Sequence, residues 1–243
     1  CYIRFIYFFY LLKRYSFFYE DKLEKLNSVD PKILGYDGSE EIDTKTYLSR
    51  MQAYEKQSLI DAASVKNFKF LFSGNRTSLL INPLMSCRFI NKKNAKVLSV
   101  GPRVEGEIFN LVGHGFKLKN IESIDLQSYS KLIKLGDMLD IPYDDNLFDV
   151  VICGWVLSYT NKVQDAINEL IRVTKNRGLI CIGISDKDTK LTSASLSTSK
   201  DILNYFEGRL QEVYFKYHPG DIHDKSKQQL KSFRSIVVVE IKK

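Results

Sequence analysis

Three stretches of the 243-residue chain combine glycine or an acid with a place where the backbone must turn. The first is Gly101-Pro102-Arg103-Val104-Glu105-Gly106, directly after the apolar run Val97 to Val100. Glycine lets a backbone approach a ligand closely, and the helical pattern that follows offers free N–H groups to a carboxylate or phosphate. The second is Asp125, 24 residues beyond Gly101. In nucleotide-binding α/β folds an acid at about that distance hydrogen-bonds the ribose hydroxyls. The third is Gly136-Asp137-Met138, whose acid can accept from an adenine amino group while the methionine packs on the ring. Plainer readings stand beside these: Asp125 as a turn cap, Asp137 as a surface acid.

The loop narrows the choice of ligand. It is not GxGxxG, so a pyrophosphate cradle is incomplete, and no GK[ST] follows, which argues against a P-loop. Arg103 and the helix start suit one carboxylate plus an adenosine, the shape of S-adenosylmethionine.

The elements that must position these residues alternate. Lys96 to Val100 reads as a short strand and Gly101-Pro102 as its break. Arg103 to Val112 is helical through Ile108, Phe109, Leu111 and Val112, closed by Gly113 and Gly115. Ile121 to Asp125 is a second strand. Phe148 to Cys153 is almost wholly apolar, as in a parallel strand buried on both faces. Val163, Ile167, Leu170 and Ile171 mark a helix, Asn176-Arg177-Gly178 a turn, and Leu179 to Ile184 a further strand. A short helix near 201–206, a strand at Leu210–Tyr217 and a last strand at Ser235–Ile241 complete the pattern. Alternation of this kind predicts an α/β fold: a Rossmann-like, doubly wound, mostly parallel sheet with helices on both faces. Only six residues separate Asp125 from the next strand, Leu132–Leu135, while a parallel crossover needs about a dozen. The second crossover helix is expected to be missing or reduced to a turn.

Four segments in order, VLSVGPRVEGE (97–107), ESIDLQ (122–127), GDMLDIPYDDNLFDVVICGWVLSYT (136–160) and AINELIRVTKNRGLICIG (166–183), resemble the class I S-adenosylmethionine-dependent methyltransferases, in particular the broad type 11 group. The similarity covers about residues 95–185. It implies S-adenosylmethionine as cofactor, a final strand that runs antiparallel, and a third strand at the sheet edge. It implies Gly101 as the first glycine of the cofactor loop, Asp125 with Leu126 at the ribose, and Asp137 with Met138 at the adenine. Gly154 and Trp155 fall where the family places the methyl group and incoming nucleophile, although Trp155 reads equally as core. The chain departs from the family at Ser99, where an acid is usual, and at Arg103 and Glu105, where glycines are usual, with Gly106 one place late. Arg103 can pair with the cofactor carboxylate and Glu105 or Glu107 with its ammonium. The glutamates serve equally as acids favouring a helix amino end.

The resemblance implies an enzyme performing in-line methyl transfer, in which the protein chiefly aligns the reactants and excludes water. An oxygen nucleophile benefits from a base, and Tyr159 and His218 are the candidates. His114 and His223 lack ligand spacing, so no metal is expected. Cys153-Gly154-Trp155 replaces the Asn/Asp-Pro-Pro-Tyr of enzymes that methylate base amines. With no dense basic block or nucleic-acid motif, no nucleic-acid partner is expected. The expected acceptor is a small molecule, a glycan or a lipid-linked intermediate. The rival reading is a non-catalytic module that keeps the fold and has lost the cofactor.

Composition supports a globular chain: 44% hydrophobic and 27% charged residues exclude disorder and a disulfide-stapled miniprotein. Four scattered cysteines indicate a reducing, cytoplasmic setting. Of the net charge of +7, +6 lies between Ser58 and Lys96. Residues 1–94 are expected to form a helical extension, with a helix over Asp43–Ala63, and residues 95–243 the methyltransferase domain. Ten of the thirty aromatics lie between Tyr2 and Tyr19, beside Arg4, Lys13 and Arg14. The longest apolar run there, Phe5 to Leu12, is eight residues, too short for a span of about 20. A helix packed on the body or on a twin subunit is the plain expectation, and a membrane-peripheral helix over residues 1–20 the alternative. The front end lacks a small-residue cleavage site, against a signal peptide. Cys1 in place of methionine suggests a fragment or processed product.

Overall fold

The computed structural model describes residues 27–28, 76–87, 89–102, 105–128, 131–160, 162–185, 196, 198–218 and 234–243. The expected helices at 1–20 and 43–63 lie outside them. Seven strands form the main sheet: β2 (Val97–Val100), β3 (Ile121–Asp125), β5 (Lys134–Leu135), β6 (Phe148–Gly154), β7 (Thr174–Ser185), β8 (Leu210–Tyr217) and β9 (Arg234–Ile241). Their order is β5-β3-β2-β6-β7-β9-β8. Neighbours from β5 to β7 pair in parallel, and β9 runs antiparallel to both β7 and β8. The last strand is therefore antiparallel, as the resemblance implied. A separate antiparallel pair joins β1 (Asn27–Ser28) to β4 (Gln127–Ser128), just beyond the end of β3.

Side-chain alternation along the central strands divides the core by face. Leu98, Val100, Val151, Cys153, Ile180, Ile182, Val237 and Val239 pack with helices α3 (Val163–Val173) and α4 (Ser199–Asn204). Val97, Val150, Ile152, Leu179, Cys181, Ile236 and Val238 pack with Leu80, Ile81 and Leu84 of helix α1 (Arg76–Met85). Helix α1 precedes the expected boundary at residue 95, yet it belongs by packing to the sheet's own core. Helix α2 (Glu105–Gly113) follows β2 and buries Phe109 and Val112 over Leu118 and Ile121. Helix α4 starts at a reciprocal cap, in which the Thr198 hydroxyl accepts from the Asp201 N–H and the Asp201 carboxylate from the Thr198 N–H.

Two expectations change in detail. The edge strand expected at Leu132–Leu135 shrinks to Lys134–Leu135, and no helix separates it from β3 among the described residues. The eight residues between Asp125 and Lys134 are too few for a crossover helix. The turn expected at Asn176-Arg177-Gly178 does not reverse the chain. Phe148 pairs with Thr174 and Val150 with Leu179, so residues 175–178 bulge out within β7, and Arg177 takes φ 64. The turn chemistry is used to lengthen one strand against its partner.

Candidate active site

Ligands in open α/β sheets bind beyond the carboxyl ends of the strands, and there the chain assembles Gly101, Asp125 and Asp137. Gly101 ends β2 with φ +73, a left-handed conformation that favours glycine. A Cβ at this position would lie 2.3 Å from Cγ1 of Val156, in the turn after β6. The Gly101 N–H donates to the Ile124 carbonyl at 2.9 Å, which ties the loop to β3 on its other side. Ser99 is buried inside β2, between Ser123 and Ile152. Gly106 lies half-buried in the first turn of α2. Arg103 and the Glu105 side chain lie outside the described residues. Glu107 is buried and its carboxylate accepts from the Thr77 hydroxyl, while Asn110 Nδ2 donates to Ser78 Oγ at 2.6 Å, so α2 is bound to α1.

Asp125 is the last residue of β3 and only 8% exposed. Its backbone carbonyl accepts from the Gly136 N–H at 3.0 Å, where β5 pairs Leu135 with Asp125. Leu126, next to it, is half-buried. Asp137 follows Gly136 and is half-buried. Its Oδ1 accepts from the Leu139 N–H at 3.0 Å. Burial pushes its carboxyl above the usual range, and the nearby Asp140 adds to this against smaller opposing effects of the Leu139 and Met138 N–H groups and Lys162. Met138 packs against the core beneath α3 and α4. The three positions thus stand at the ends of adjacent strands β2, β3 and β5, about 4.8 Å from strand to strand.

At the end of β6 the chain turns Trp155 into the core. Gly154 is buried and pairs with Gly183. Trp155 takes φ 68, and its N–H donates to the Gly183 carbonyl at 2.8 Å. The indole is 1% exposed and packs in the core beneath α1, where a Cβ on Gly183 would come within 3.2 Å of it. Its Nε1 has no hydrogen-bond partner, and Arg234 Cζ lies 5.5 Å from the ring centroid. The plain core reading of Trp155 is thus the one its burial matches, and Val156 is the residue that meets the glycine loop. Nothing in the sequence marked Val156 beyond its place two residues after Gly154.

Of the two candidate bases, Tyr159 lies in a 3-10 turn, Leu157–Tyr159, and its side chain lies outside the described residues. His218 follows β8, with Nδ1 2.8 Å from Ser235 Oγ. The sheet order sets β8 four strands from β2, a displacement of about 19 Å, so His218 does not join Gly101 and the aspartates. Cys153, beside Gly154, is a buried free thiol pushed up to about 12 by burial, which removes it as a nucleophile. Among the described residues no group of acids, histidines and cysteines could hold a metal.

A family described as "Methyltransferase domain" matches residues 116–182. The N-methyltransferase NodS of Bradyrhizobium japonicum, solved with S-adenosyl-L-homocysteine, superposes with a TM-score of 0.52 at 15% identity, over 78% of this chain and 99% of that one. This is the class I methyltransferase fold. A protein of Pyrococcus horikoshii superposes with a TM-score of 0.50 at 16% identity, over 73% of this chain and 97% of that one. An uncharacterized protein of Methanocaldococcus jannaschii is 31% identical over 115 residues, 44% of this chain. That match spans about half of the relative's length, 48%.

The class I methyltransferase fold implies S-adenosylmethionine, and the residues present fit it. Gly101 leaves open backbone where any side chain would strike Val156, ahead of the amino end of α2. Asp125 and Asp137 place two acids at the ends of successive strands. Arg172 and Glu169 of α3, which nothing in the sequence singled out, bind the segment carrying Asp137. Their only sequence signal is an acid and an arginine three apart on one helix.

Proposed function

We propose that the protein is an S-adenosylmethionine-dependent methyltransferase whose acceptor is a small molecule, a glycan or a lipid-linked intermediate. One observation carries this reading: Gly101, held at φ +73 against Val156, stands beside two acids at the ends of the next two strands. When bound, the cofactor supplies a sulfonium methyl already activated for displacement. The chain's own part is to hold and to exclude. Asp125 accepts from ribose hydroxyls, Asp137 accepts from the adenine amino group, and the first N–H groups of α2 face the amino-acid end. Val156 closes the loop from the β6 side and keeps water from it. Tyr159 follows β6, the neighbour of β2, and is by sheet order the base candidate nearer to Gly101 than His218, which follows β8 four strands away. The rival reading, a module that keeps the fold without the cofactor, draws on Ser99 in place of an acid and on Glu107 bound to Thr77.

Thermal denaturation with added S-adenosylhomocysteine separates the two. At 100 times its Kd a ligand stabilises by about 2.7 kcal/mol, a shift of several degrees, while NAD at the same concentration should give none. No shift with S-adenosylhomocysteine supports the rival, and a shift with NAD alone points to an oxidoreductase. A setting in the cytoplasm, a twin subunit, and an acceptor presented near a membrane through residues 1–20 remain part of this proposal. Among the described residues no helix is long and apolar enough to cross a membrane. Unchanged membrane partitioning after deletion of residues 1–20 would remove the membrane-side acceptor.

A further inference from the structure

Helix α3 holds the segment that carries Asp137 and Met138 through one arginine. All five N–H donors of the Arg172 guanidinium are used. Nε donates to Glu169 Oε1 at 2.6 Å and Nη2 to Glu169 Oε2 at 2.8 Å, a forked pair within one helix. The other Nη2 hydrogen goes to the Ile141 carbonyl at 2.8 Å. Nη1 serves the Tyr143 carbonyl and Asp145 Oδ1, both at 2.8 Å. Glu169 Oε2 in turn accepts from the Ile141 N–H at 2.8 Å. Ile141 is thus gripped on both its backbone groups by one ion pair.

The grip bears on Asp137 because the chain between them is short and closed. Asp137 and Asp140 face each other across a tight turn, with the Asp140 N–H on the Asp137 carbonyl. The turn's first end is fixed to β3 by Gly136 and Asp125, and its second end reaches only Ile141. Beyond it, the Asn146 and Leu147 N–H groups donate to the Arg172 and Val173 carbonyls at the end of α3, the first of which also accepts from Lys243 Nζ. Burial raises the Glu169 carboxyl, but Arg172 and the Ile141 N–H outweigh it and hold it below the ordinary carboxylate range. Asp145, 65% exposed, adds little to the grip.

We propose that Arg172 and Glu169, outside the cofactor pocket, are positioning residues that fix where Asp137 and Met138 stand and thereby set the affinity for the adenine of the cofactor. This rests on the methyltransferase reading above. Lysine at position 172 keeps the charge but has three donors on a flexible stem, so it cannot serve Glu169 twice and two carbonyls at once.

The test uses the full chain, with S-adenosylhomocysteine as probe and amide hydrogen exchange as a second readout. Arg172→Lys should weaken binding by roughly tenfold, the equivalent of one or two charge-assisted hydrogen bonds. In an Asp137→Ala background the same change should have a clearly smaller effect, because of the two residues it acts through only Met138 is left. Exchange at the Leu139 and Ile141 amides should quicken in Arg172→Lys with no probe present, while amides of β6 and β7 stay protected. Equal and additive losses in both backgrounds, or unchanged exchange at Leu139 and Ile141, overturn the proposal. A wild-type protein that ignores the probe overturns the cofactor reading instead, and the exchange result still judges whether Arg172 fixes the turn.

Discussion

Gly101 and Asp137 stand two strands apart on the same edge of one sheet, but they are held by different forces. Gly101 is held by shape: a left-handed backbone and the methyls of Val156 leave no room for a side chain. Asp137 is held by charge: its turn hangs between a backbone hydrogen bond to β3 and the Arg172–Glu169 pair of α3. Contact of packed atoms is indifferent to pH and salt, whereas an ion pair is not. One edge of the candidate pocket is therefore rigid under all folding conditions, and the other can be loosened chemically without unfolding the sheet.

The shape-held side should fail hardest. Gly101→Ala adds a Cβ into Val156 and forces a strained φ, which should cost about 2–4 kcal/mol and abolish binding of S-adenosylhomocysteine. Urea unfolding and calorimetric titration measure the two effects. Trimming the neighbour sharpens the comparison. In Gly101→Ala/Val156→Ala the contacts with the two γ methyls are gone and the Val156 Cβ stays at 3.1 Å, so the cost of the glycine change should fall toward the backbone penalty of about 1–2 kcal/mol. A double-mutant cycle that is additive would mean that Val156 is not what excludes the side chain.

The charge-held side should respond to pH. The Glu169 carboxyl is lowered in the folded protein, so the stability it adds is present above the ordinary carboxylate range and is lost as pH falls through the lowered value. Glu169→Gln should therefore be less stable than wild type by about 1–3 kcal/mol at neutral pH, with the gap closing in acid. Asp137 has the opposite sign. Its raised carboxyl favours the fold most below the ordinary aspartate range, and that advantage is lost as pH rises through the folded value. Asp137→Asn keeps an acceptor for Leu139 and sheds the buried charge, so its Tm at neutral pH should rise by roughly 1–3 °C. The same variant should bind S-adenosylhomocysteine more weakly. A fall in Tm at neutral pH that shrinks toward pH 4 would show that the charged form is what the turn prefers.

Legibility in the sequence follows the same division. Strands with both faces buried announce themselves as apolar runs, and Phe148–Cys153 and Leu179–Ile184 both fall within observed strands. Local rules also reach Gly101, because a glycine after a strand and before a helix has few other uses. What they do not reach is any partner brought close by the sheet order. Arg172 meets Ile141 across 31 residues, and Thr77 meets Glu107 across 30. Trp155 shows the limit well. Its place after β6 left the methyl position and the core equally open, and φ 68 with the glycine opposite it at Gly183 lets the indole lie in the core. A bulge in β7 was equally invisible, since Asn176-Arg177-Gly178 reads as a turn whether or not the chain reverses.

Asp125 offers the most direct measurement of the central claim, because it lies between the two differently held sides and is nearly buried. Calorimetric titration of wild type and Asp125→Ala with S-adenosylhomocysteine should show saturable binding by the wild type and a loss of roughly 1–3 kcal/mol in the variant, with the circular dichroism of the two indistinguishable. Binding of equal strength in both proteins would contradict a ribose contact at the end of β3.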